Sequence, residues 1–538
     1  MLEYDNYSNY NNWDEFLQEY SLKYGDKIVL TYTEDDRKVT WKEFYDNINK
    51  IAALFNKSGI KKGDRISILT RNSPEFIYSF FAAMKLGAIF NSINPDSSEA
   101  EIEFILNDSG TSIVIVDEEN YKKVNEVKDK VASLKQVFGN GFNSNEVIIL
   151  EEYIRINNTN IFSGGNSSLS DDCLIMYSSG TTGKPKGIVL TQQNIMVEAF
   201  SIARAWHFNE QSVGMCTLPL FFSGGLMPGF LATLVAGGSL VMQKKFSKSR
   251  FFLNIVKYRV SYTNVVPTIL SMLLNPPEDI SSYDLSNFKL LACSAAPLPV
   301  ELAVNFEKQF VKYSEGFKVI EAYGLTENSC WCTMNSVENR KLGSIGKLMD
   351  VCEIAIVDDK GNFLEVEDKN KTGCVDVRTK EGEIVVKGEI IFNKYWNLPE
   401  KTSETKKDGW MHTGDLGSMD VEGNVYINGR IKEIIIKGGE KISPKAVDDV
   451  FYKHSAVVDA ATIGIPDPIY GEEIKTYIVK KSKVIVSEAE LIIYAQKFFS
   501  EFRSPKYIEF VDEIPKGPSG KLLRRELLQM HLDRSNKP

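Results

Sequence analysis

Residues Tyr177 to Gly187 form a stretch rich in glycine, hydroxyl side chains and lysine between two apolar segments. Glycines let backbone N–H groups converge on an anion, hydroxyls add donors, and lysines bring positive charge to phosphate oxygens. A flexible surface turn would explain the glycines but not the paired lysines. The stretch therefore predicts a phosphate-binding loop whose candidate residues are Ser178, Ser179, Gly180, Thr181, Thr182, Gly183, Lys184 and Lys186.

The apolar segments on both sides of this loop are typical of buried strands. Cys173 to Tyr177 precedes the loop and Gly187 to Leu190 follows it, which predicts a hairpin connection. The common P-loop needs Gly-x4-Gly-Lys-Ser/Thr leading into a helix, and Pro185 stands where its second glycine would be. We therefore expect a different kind of phosphate loop.

Length and charge limit the classes of protein that fit the chain. At 538 residues it is too long for one ordinary core, so two or more domains are expected. A net charge of −9 disfavours a general nucleic-acid binder and an anionic membrane surface. Seven irregularly spaced cysteines suggest neither a disulfide framework nor a paired metal motif. With no long apolar run, we expect a cytoplasmic protein without a membrane span or a nucleic-acid partner.

Strand-like and helix-like segments alternate through the first two thirds of the chain, which favours a parallel or mixed sheet covered by helices. Thr40 and Glu43 have the spacing of a capping box at a helix start. Later strands end in small-residue turns, at Gly224, Ser294 and Gly324. Because ligands bind where parallel strand ends converge, we expect these turns to share one site with the phosphate loop.

Four further stretches, taken with the loop, resemble the signature motifs of one enzyme superfamily. They are Tyr323 to Glu327, Thr413 to Asp415, Gly429 to Glu433 and Pro515 to Lys521. In this order they resemble the adenylate-forming (AMP-binding) superfamily, which includes acyl- and aryl-CoA synthetases, firefly luciferase and the adenylation domains of nonribosomal peptide synthetases. Five such motifs in family order are not explained by chance. The resemblance spans the chain from Thr40 to Leu527.

The resemblance implies an α/β fold in two domains. A large N-terminal domain, residues 1–429, would combine mixed or parallel sheets with helices and include a β-rich subdomain at about residues 345–429. A small mobile α+β domain, residues 430–538, would carry a hinge and a catalytic lysine. The implied reaction has two halves: a carboxylate and ATP give an acyl-adenylate and pyrophosphate, and then a thiol takes the acyl group.

The resemblance also implies which residues contact the nucleotide. The loop would grip the β- and γ-phosphates, and Tyr323 would stack on adenine. Asp415 would accept both ribose hydroxyls, which suits a carboxylate with two oxygens, and Arg430 would add a ribose or phosphate contact. The other implied ATP- or AMP-binding positions are Ser294, Ala295, Ala296, Ala322, Gly324, Thr326 and Lys521.

Catalytic roles are implied for Lys521, Thr326 and Glu327. Lys521 would place positive charge across the transferring group, and Thr326 would contact the α-phosphate. Glu327 and Thr181 would hold Mg²⁺, a hard cation that favours oxygen ligands. Taken alone, Lys521 could be an ordinary solvated lysine in a basic tail, and only the motif context assigns it this role.

Two segments are implied to serve the second half-reaction. Lys432 lies where the family changes backbone dihedrals to swing the C-terminal domain. After that swing, Lys437, Gly438 and Gly439 would approach the thiol and line the tunnel for its pantetheine arm, where a glycine leaves space. The alternative is a plain interdomain loop.

The acyl pocket is implied to be lined by Phe221, Phe222, Gly224, Gly225, Cys293 and Trp331. Several positions depart from the common pattern. Phe222 stands where many acyl-CoA ligases carry histidine, Gln192 replaces another usual histidine, and Lys441 replaces the usual Asn or Gln. No aspartate directly follows Phe222 to pair with a substrate ammonium, so an α-amino acid is disfavoured and an aryl or fatty carboxylic acid is favoured.

These features together predict an ATP-dependent carboxylic acid–CoA ligase that uses ATP and Mg²⁺, with coenzyme A as co-substrate. The alternative is a stand-alone adenylation enzyme that loads the acyl group onto a carrier-protein phosphopantetheine. Both enzymes would share every ATP-binding residue and differ only in the thiol acceptor. A luciferase-like oxidative enzyme and a non-enzymatic nucleotide-binding protein are weaker alternatives.

Overall fold

The computed structural model describes residues 7–157, 162, 164–178, 185–277, 279–366, 377–482, 484–517 and 521–535. Short 3₁₀ turns occur at Tyr7–Asn9, Lys128–Lys130, Thr326–Asn328, Ile431–Glu433 and Glu501–Arg503. The α-helices of the described ranges are Trp13–Tyr24, Trp41–Lys57, Pro74–Lys85, Glu99–Ser109, Glu118–Val127, Leu150–Ile156, Gln192–Ala205, Ser223–Leu226, Ala232–Val235, Phe251–Tyr258, Pro267–Leu273, Val300–Phe310, Pro399–Thr405, Pro444–Tyr452, Glu488–Ala495 and Arg524–Ser535.

Two large mixed sheets form the body of the N-terminal part. Within the described residues, the first has nine strands in the spatial order Lys347–Leu348, Thr333–Met334, Lys318–Tyr323, Leu290–Cys293, Tyr262–Val265, Val213–Cys216, Ser239–Met242, Ile28–Tyr32 and Arg37–Thr40. The second, counted over the same ranges, has eight strands in the order Lys394–Tyr395, Lys186–Thr191, Asp172–Ser178, Ile89–Ser92, Arg65–Leu69, Thr111–Val116, Gln136–Gly139 and Ile148–Ile149. The central strands of both are parallel. Both ends of the first sheet have antiparallel strands, whereas the second sheet is antiparallel only at the end that contains Lys394–Tyr395 and Lys186–Thr191.

Two smaller sheets follow along the chain. Residues between 352 and 430 form an antiparallel sheet from Cys352–Val357, Gly382–Gly388, Trp410–Met419, Lys406–Lys407 and Val425–Arg430. The C-terminal part forms another sheet from Glu440–Ile442, Ile435–Lys437, Gly471–Lys480, Val457–Asp467 and Tyr507–Phe510. This arrangement confirms the predicted α/β class, with a large N-terminal body and a small C-terminal α+β part.

Side-chain caps explain several helix boundaries. The Thr40 hydroxyl accepts the backbone N–H of Glu43, and the Glu43 carboxylate accepts the backbone N–H of Thr40 at 2.9 Å. This is the reciprocal capping box that the sequence predicts. Ser98 and Glu101 repeat it at the next helix but one. Such caps satisfy backbone donors that the first helical turn leaves without partners.

The largest buried cluster joins the two large sheets. It includes apolar side chains of both sheets and of the helices Trp41–Lys57, Pro74–Lys85 and Gln192–Ala205. A second cluster covers the other face of the first sheet and includes Cys293 and Phe306. Burial on both faces explains why strands such as Leu290–Cys293 are wholly apolar, as expected for parallel sheets covered by helices. Tyr262–Val265 and Ile89–Ser92 each include two buried polar residues as well.

Two local features near the glycine turn depart from regular strands and helices. The strand Val213–Cys216 ends at Cys216, and beyond it the Asn72 side chain takes the place of a strand partner. Its amide donates to the Leu218 carbonyl at 3.1 Å and accepts the Leu220 N–H at 2.8 Å. The segment from Leu226 to Val235 contains a π-helical turn at Met227–Leu231. Such turns are rare and are not visible in hydrophobic periodicity.

Candidate active site

The phosphate-loop stretch connects two antiparallel strands, as the sequence predicts. We call Asp172–Ser178 the upstream strand and Lys186–Thr191 the downstream strand; Ser178 and Lys186 face each other across the ladder. The positions between them, Ser179, Gly180, Thr181, Thr182, Gly183 and Lys184, lie outside the described residues, so their roles stay predictions. The ladder brings both ends of the loop to the carboxyl end of the second sheet.

Lys186, the first residue of the downstream strand, lies near Glu327. Burial lowers the pKa of Lys186, and the negative charge of Glu327 partly counters this effect. The Lys186 ammonium lies 4.6 Å from the centre of the Tyr395 ring. The Tyr395 hydroxyl in turn donates a hydrogen bond to Oε1 of Glu327 at 2.8 Å. The structure therefore brings two of the predicted site residues together around Tyr395, which no motif had indicated.

Tyr323, Asp415 and Arg430 form a second connected group. The Tyr323 hydroxyl donates to Oδ2 of Asp415 at 2.7 Å, and Arg430 Nε lies 2.9 Å from Oδ1. Asp415 and Arg430 are opposite residues on the antiparallel strands Trp410–Met419 and Val425–Arg430. Both carboxylate oxygens of the buried Asp415 are thus held in place, each with lone pairs left to accept further hydrogen bonds. Burial raises the pKa of Tyr323 well above its ordinary value, so its hydroxyl remains a donor.

Lys521 reaches the same cluster from the C-terminal part of the chain. Burial lowers the pKa of Lys521 to about 8, and the positive charge of Arg430 adds to this effect. The charges of Asp415, Glu433 and Glu327 act in the opposite direction. A turn positions the residue, since the Gly517 N–H donates to the Lys521 carbonyl at 2.8 Å. The predicted catalytic lysine is therefore within the electric field of the predicted ATP-binding residues.

The small-residue turn Ser294 to Ala296 follows the strand Leu290–Cys293, which pairs in parallel with Lys318–Tyr323. Its residues therefore lie beside Ala322 and Tyr323 at one sheet edge. Ala295 has φ of 71°, in the left-handed region that favours glycine. Gly324 is required by packing, because a Cβ there would lie 1.8 Å from the Cys330 carbonyl oxygen. Thr326 begins the 3₁₀ turn Thr326–Asn328 that carries Glu327.

Residues predicted for the acyl pocket fall into two groups. Phe221 and Phe222 have ring centres 4.2 Å apart and precede the glycine turn. A Cβ on Gly224 would only touch Leu218 at 3.7 Å, whereas one on Gly225 would clash with the Pro219 carbonyl at 2.0 Å. Gly225 therefore permits close backbone packing. Phe222 and Gly224 are half-buried and are the members most free to face a substrate, whereas Phe221 is buried in the largest core cluster.

Cys293 and Trp331 are packed into the protein interior. Cys293 is fully buried in the cluster on the far face of the first sheet. The Trp331 side chain is 2% exposed, and its ring centre lies 5.1 Å from that of Trp206. The Trp331 N–H donates to Oε1 of the buried Glu198 at 2.7 Å. Glu198 was not singled out in the sequence, although a carboxylate within the apolar helix Gln192–Ala205 was a visible signal.

The segments predicted to serve the thiol half-reaction lie in the C-terminal part. Lys432 is exposed in the middle of the 3₁₀ turn Ile431–Glu433. Lys437 forms a buried ion pair with Glu473 at 2.5 Å, and the Gly438 N–H donates to the Tyr470 carbonyl at 2.8 Å. Gly439 has φ of 86° and open space around its Cα. Lys521, not Lys437, therefore joins the ATP-site cluster in this structure.

Gln192, one of the departures named above, has a structural role. Its side chain accepts the Trp13 N–H at 3.2 Å and donates to the Met84 carbonyl at 3.2 Å. The amide thus joins three helices inside the large domain.

Among the described residues, no helix is long and apolar enough to cross a membrane.

The comparisons with known proteins agree on one family. The model for AMP-binding enzymes matches residues 17–396, and the model for the AMP-binding enzyme C-terminal domain matches residues 446–521. The chain is 30% identical to the sulfoacetate–CoA ligase of Cupriavidus necator, over 94% of this chain and 96% of that protein. It is also 30% identical to the long-chain-fatty-acid–CoA ligase of Bacillus subtilis, over 95% of this chain and 93% of that one.

Solved structures support the same assignment. The crystal structure of the anthranilate CoA ligase AuaEII in complex with anthranoyl-AMP has a TM-score of 0.87 and 25% identity, and covers 99% of this chain and 100% of that chain. With the family match over most of its length and the clustering of Lys521, Glu327, Asp415 and Tyr323, the chain belongs to the AMP-binding, adenylate-forming enzyme family, in its acyl- and aryl-CoA ligase branch.

Proposed function

We propose that the chain is an ATP-dependent carboxylic acid–CoA ligase that works through an acyl-adenylate. The observation that carries this proposal is the convergence of Lys521 with Glu327, Asp415 and Arg430. In the first step a carboxylate oxygen of the acid bonds to the α-phosphorus of ATP, and the bond to the pyrophosphate oxygen breaks. In the second step the thiolate sulfur of coenzyme A bonds to the acyl carbon, and AMP leaves.

The charges of the site suit both halves of the reaction. The Lys521 ammonium would stabilise negative charge on the transferring group, and Lys186 would contact the terminal phosphates. Asp415, held by Tyr323 and Arg430, would accept the ribose hydroxyls. A carboxylic acid is already ionised at neutral pH, so the first step needs no general base.

The donor set at Glu327 fits Mg²⁺. Glu327 is partly buried, and one of its carboxylate oxygens accepts the Tyr395 hydroxyl, which leaves the other for a cation. Carboxylate oxygen is a preferred ligand of this hard ion. Glu327 would hold Mg²⁺ together with Thr181, and the ion would supply charge neutralisation of the phosphates. Glu327 itself is kept in place by the surrounding backbone, since its carbonyl accepts the Phe392 N–H at 2.8 Å.

We assign the substrate to the aryl or fatty carboxylic acids without an α-ammonium group. Phe221 and Phe222 provide an aromatic wall, and the relatives named above act on acids of varied size. We also assign the enzyme to the cytoplasm, where ATP and coenzyme A are available and thiols stay reduced. The six described cysteines are all free and buried, which fits that compartment.

Hydroxylamine trapping of the acyl-adenylate tests the proposal. The enzyme is incubated with ATP, Mg²⁺ and aryl, short, medium and long carboxylic acids, with amino acids as a comparison. At least one non-amino acid is expected to give a hydroxamate and, with free coenzyme A, an acyl-CoA. A hydroxamate without acyl-CoA would instead indicate a carrier-protein acceptor. No acid-dependent ATP turnover with any acid would contradict an enzymatic role.

A further inference from the structure

We infer that Tyr395 is a positioning residue that holds the Glu327 carboxylate in the orientation needed for the metal–nucleotide complex. This inference rests on the proposed function and adds a residue that lies outside the recognised motifs. Its physical basis is a hydrogen bond of 2.8 Å from the Tyr395 hydroxyl to Oε1 of Glu327. Among the described residues, none donates a hydrogen bond to Oε2 of Glu327, which leaves that oxygen for the ligand.

The backbone holds Tyr395 firmly against the phosphate-loop hairpin. We call Lys394–Tyr395 the bridging strand; it pairs antiparallel with the downstream strand, Tyr395 opposite Ile188. The Trp396 N–H donates to the Gly187 carbonyl at 2.8 Å. The Phe392 N–H donates to the Glu327 carbonyl at 2.8 Å, so the segment also contacts the backbone of Glu327. One segment therefore links the Glu327 turn to the end of the phosphate loop.

The chemistry of the tyrosine suits a permanent donor. Tyr395 is buried, and a phenol hydroxyl that contacts a carboxylate oxygen can only donate to it, because the carboxylate has no hydrogen to give. Lys186 is a group that could compete for the Glu327 carboxylate. Its ammonium lies 4.6 Å from the Tyr395 ring centre and carries charge opposite to that of Glu327. Without the hydroxyl, the Glu327 carboxylate would be free to rotate toward Lys186 and form an ion pair with it. Such an ion pair would occupy two groups that the nucleotide needs.

The variant Tyr395→Phe removes the hydroxyl and keeps the ring. We expect the Mg²⁺ concentration for half-maximal acid-dependent pyrophosphate exchange to rise roughly tenfold, the size expected for losing one hydrogen bond to a charged group. A second readout does not need turnover: Mn²⁺ binding in the presence of α,β-methylene ATP, followed by electron paramagnetic resonance, should weaken by a similar factor. A purely structural role would lower thermal stability and leave both titrations unchanged.

The chain offers a matched control. Tyr121 also donates to a glutamate, Glu146, at 2.6 Å, but on a helix that contributes nothing to the candidate site. Tyr121→Phe should leave both titrations at the wild-type value. In a Glu327→Gln background, adding Tyr395→Phe should change Mn²⁺ binding by less than about twofold, because the paired carboxylate is already gone.

Three results would decide the matter. If Tyr395→Phe shows the same metal dependence as the control Tyr121→Phe, the inference is overturned. If Tyr395→Phe fails to fold, Tyr395→His, which keeps a ring N–H donor, should show a metal dependence between wild type and Glu327→Gln; equality with Glu327→Gln would overturn it. A wild-type enzyme with no acid-dependent exchange at any Mg²⁺ concentration would overturn the proposed function instead, so the two failures are distinct.

Discussion

The pKa of Lys521 is shifted in opposite directions by residues that are far apart in the chain. Burial and Arg430 favour its neutral form, whereas Asp415, Glu433 and Glu327 favour the ammonium form. The balance leaves the pKa of the ligand-free residue at about 8, close to the pH at which the enzyme would work. Titratable groups placed in this way are frequent at catalytic sites.

A pH profile of adenylation should therefore show Lys521. Only the ammonium form stabilises the transferring phosphoryl group, so kcat/KM for ATP should fall about tenfold per pH unit above pH 8. Lys521→Ala should lose roughly 10²–10³-fold of adenylation and lose this limb of the profile. Lys516→Ala is the matched control, because Lys516 belongs to the same motif but pairs with Asp459 at 2.5 Å. Full pyrophosphate exchange by Lys521→Ala would remove its catalytic assignment.

Ala295 predicts a gain in stability on substitution. An alanine in the left-handed region destabilises the folded state by roughly 1–2 kcal/mol. Glycine removes this strain, but it lowers stability by about 0.5–1 kcal/mol because the unfolded chain becomes more flexible. Ala295 is exposed, so no packing is lost. Ala295→Gly should therefore stabilise the large domain by about 0.5–1 kcal/mol in thermal unfolding. Ala296 does not have a positive φ, so Ala296→Gly should destabilise the large domain instead. Similar changes in stability at both positions would contradict the backbone argument.

At the scale of helices and strands, local signals predicted well and nonlocal pairings did not. Some elements are determined by residues that are close together in the sequence. Examples are the helix cap of Thr40 with Glu43 and the apolar strand before the phosphate loop. The bridging strand has two residues, and its pairing with the downstream strand depends on chain segments that are distant in sequence. Tyr395 could not be assigned for the same reason, whereas Asp415, Glu327 and Lys521 stood in recognisable motifs. Cys293 and Trp331, which the resemblance assigns to the acyl pocket, are buried in the core, and their role in a pocket stays a prediction.

The turn Ile431–Glu433 is the element at which the two half-reactions should separate. Proline fixes φ near −65° and would restrict the change of backbone dihedrals proposed at Lys432. Lys432→Pro should slow acyl-CoA formation at least tenfold more than pyrophosphate exchange, as measured by single-turnover kinetics. Lys432→Ala should affect neither strongly, because the side chain is exposed. Equal slowing of both steps by proline would show that the turn is not a hinge.

At the scale of the whole molecule, the C-terminal part has the orientation that we propose for the first half-reaction. Lys521 is near the ATP-site cluster, whereas Lys437 is paired with Glu473 and lies 4.7 Å from the Phe502 ring centre, all within the C-terminal sheet and its connections. Arg524 donates to Glu433 at 3.2 Å and to Asp448 at 2.7 Å, which ties the turn Ile431–Glu433 to the rest of the C-terminal part. The small domain should therefore move as one unit.

A disulfide should trap this orientation. A Cβ on Gly429 would lie 3.8 Å from the Ser443 Cβ, close to the mean separation in disulfides. The double variant Gly429→Cys with Ser443→Cys, once oxidised, should retain pyrophosphate exchange and lose acyl-CoA formation. Reductant should restore the second activity, and either single cysteine variant should be insensitive to it. Acyl-CoA formation by the fully oxidised double variant would show that no large reorientation is needed.

The bridging strand has a consequence for the way this chain is made. The downstream strand ends at Thr191, but the strand that pairs with its outer edge is residues 394–395. During synthesis this edge therefore has no partner until residue 395 has been added. At 5–20 residues per second the wait is roughly 10–40 s. For that time the edge next to the apolar run Ile188 to Leu190 is open to pairing with other chains. A nascent chain that stops before residue 394 would keep that edge open and should aggregate.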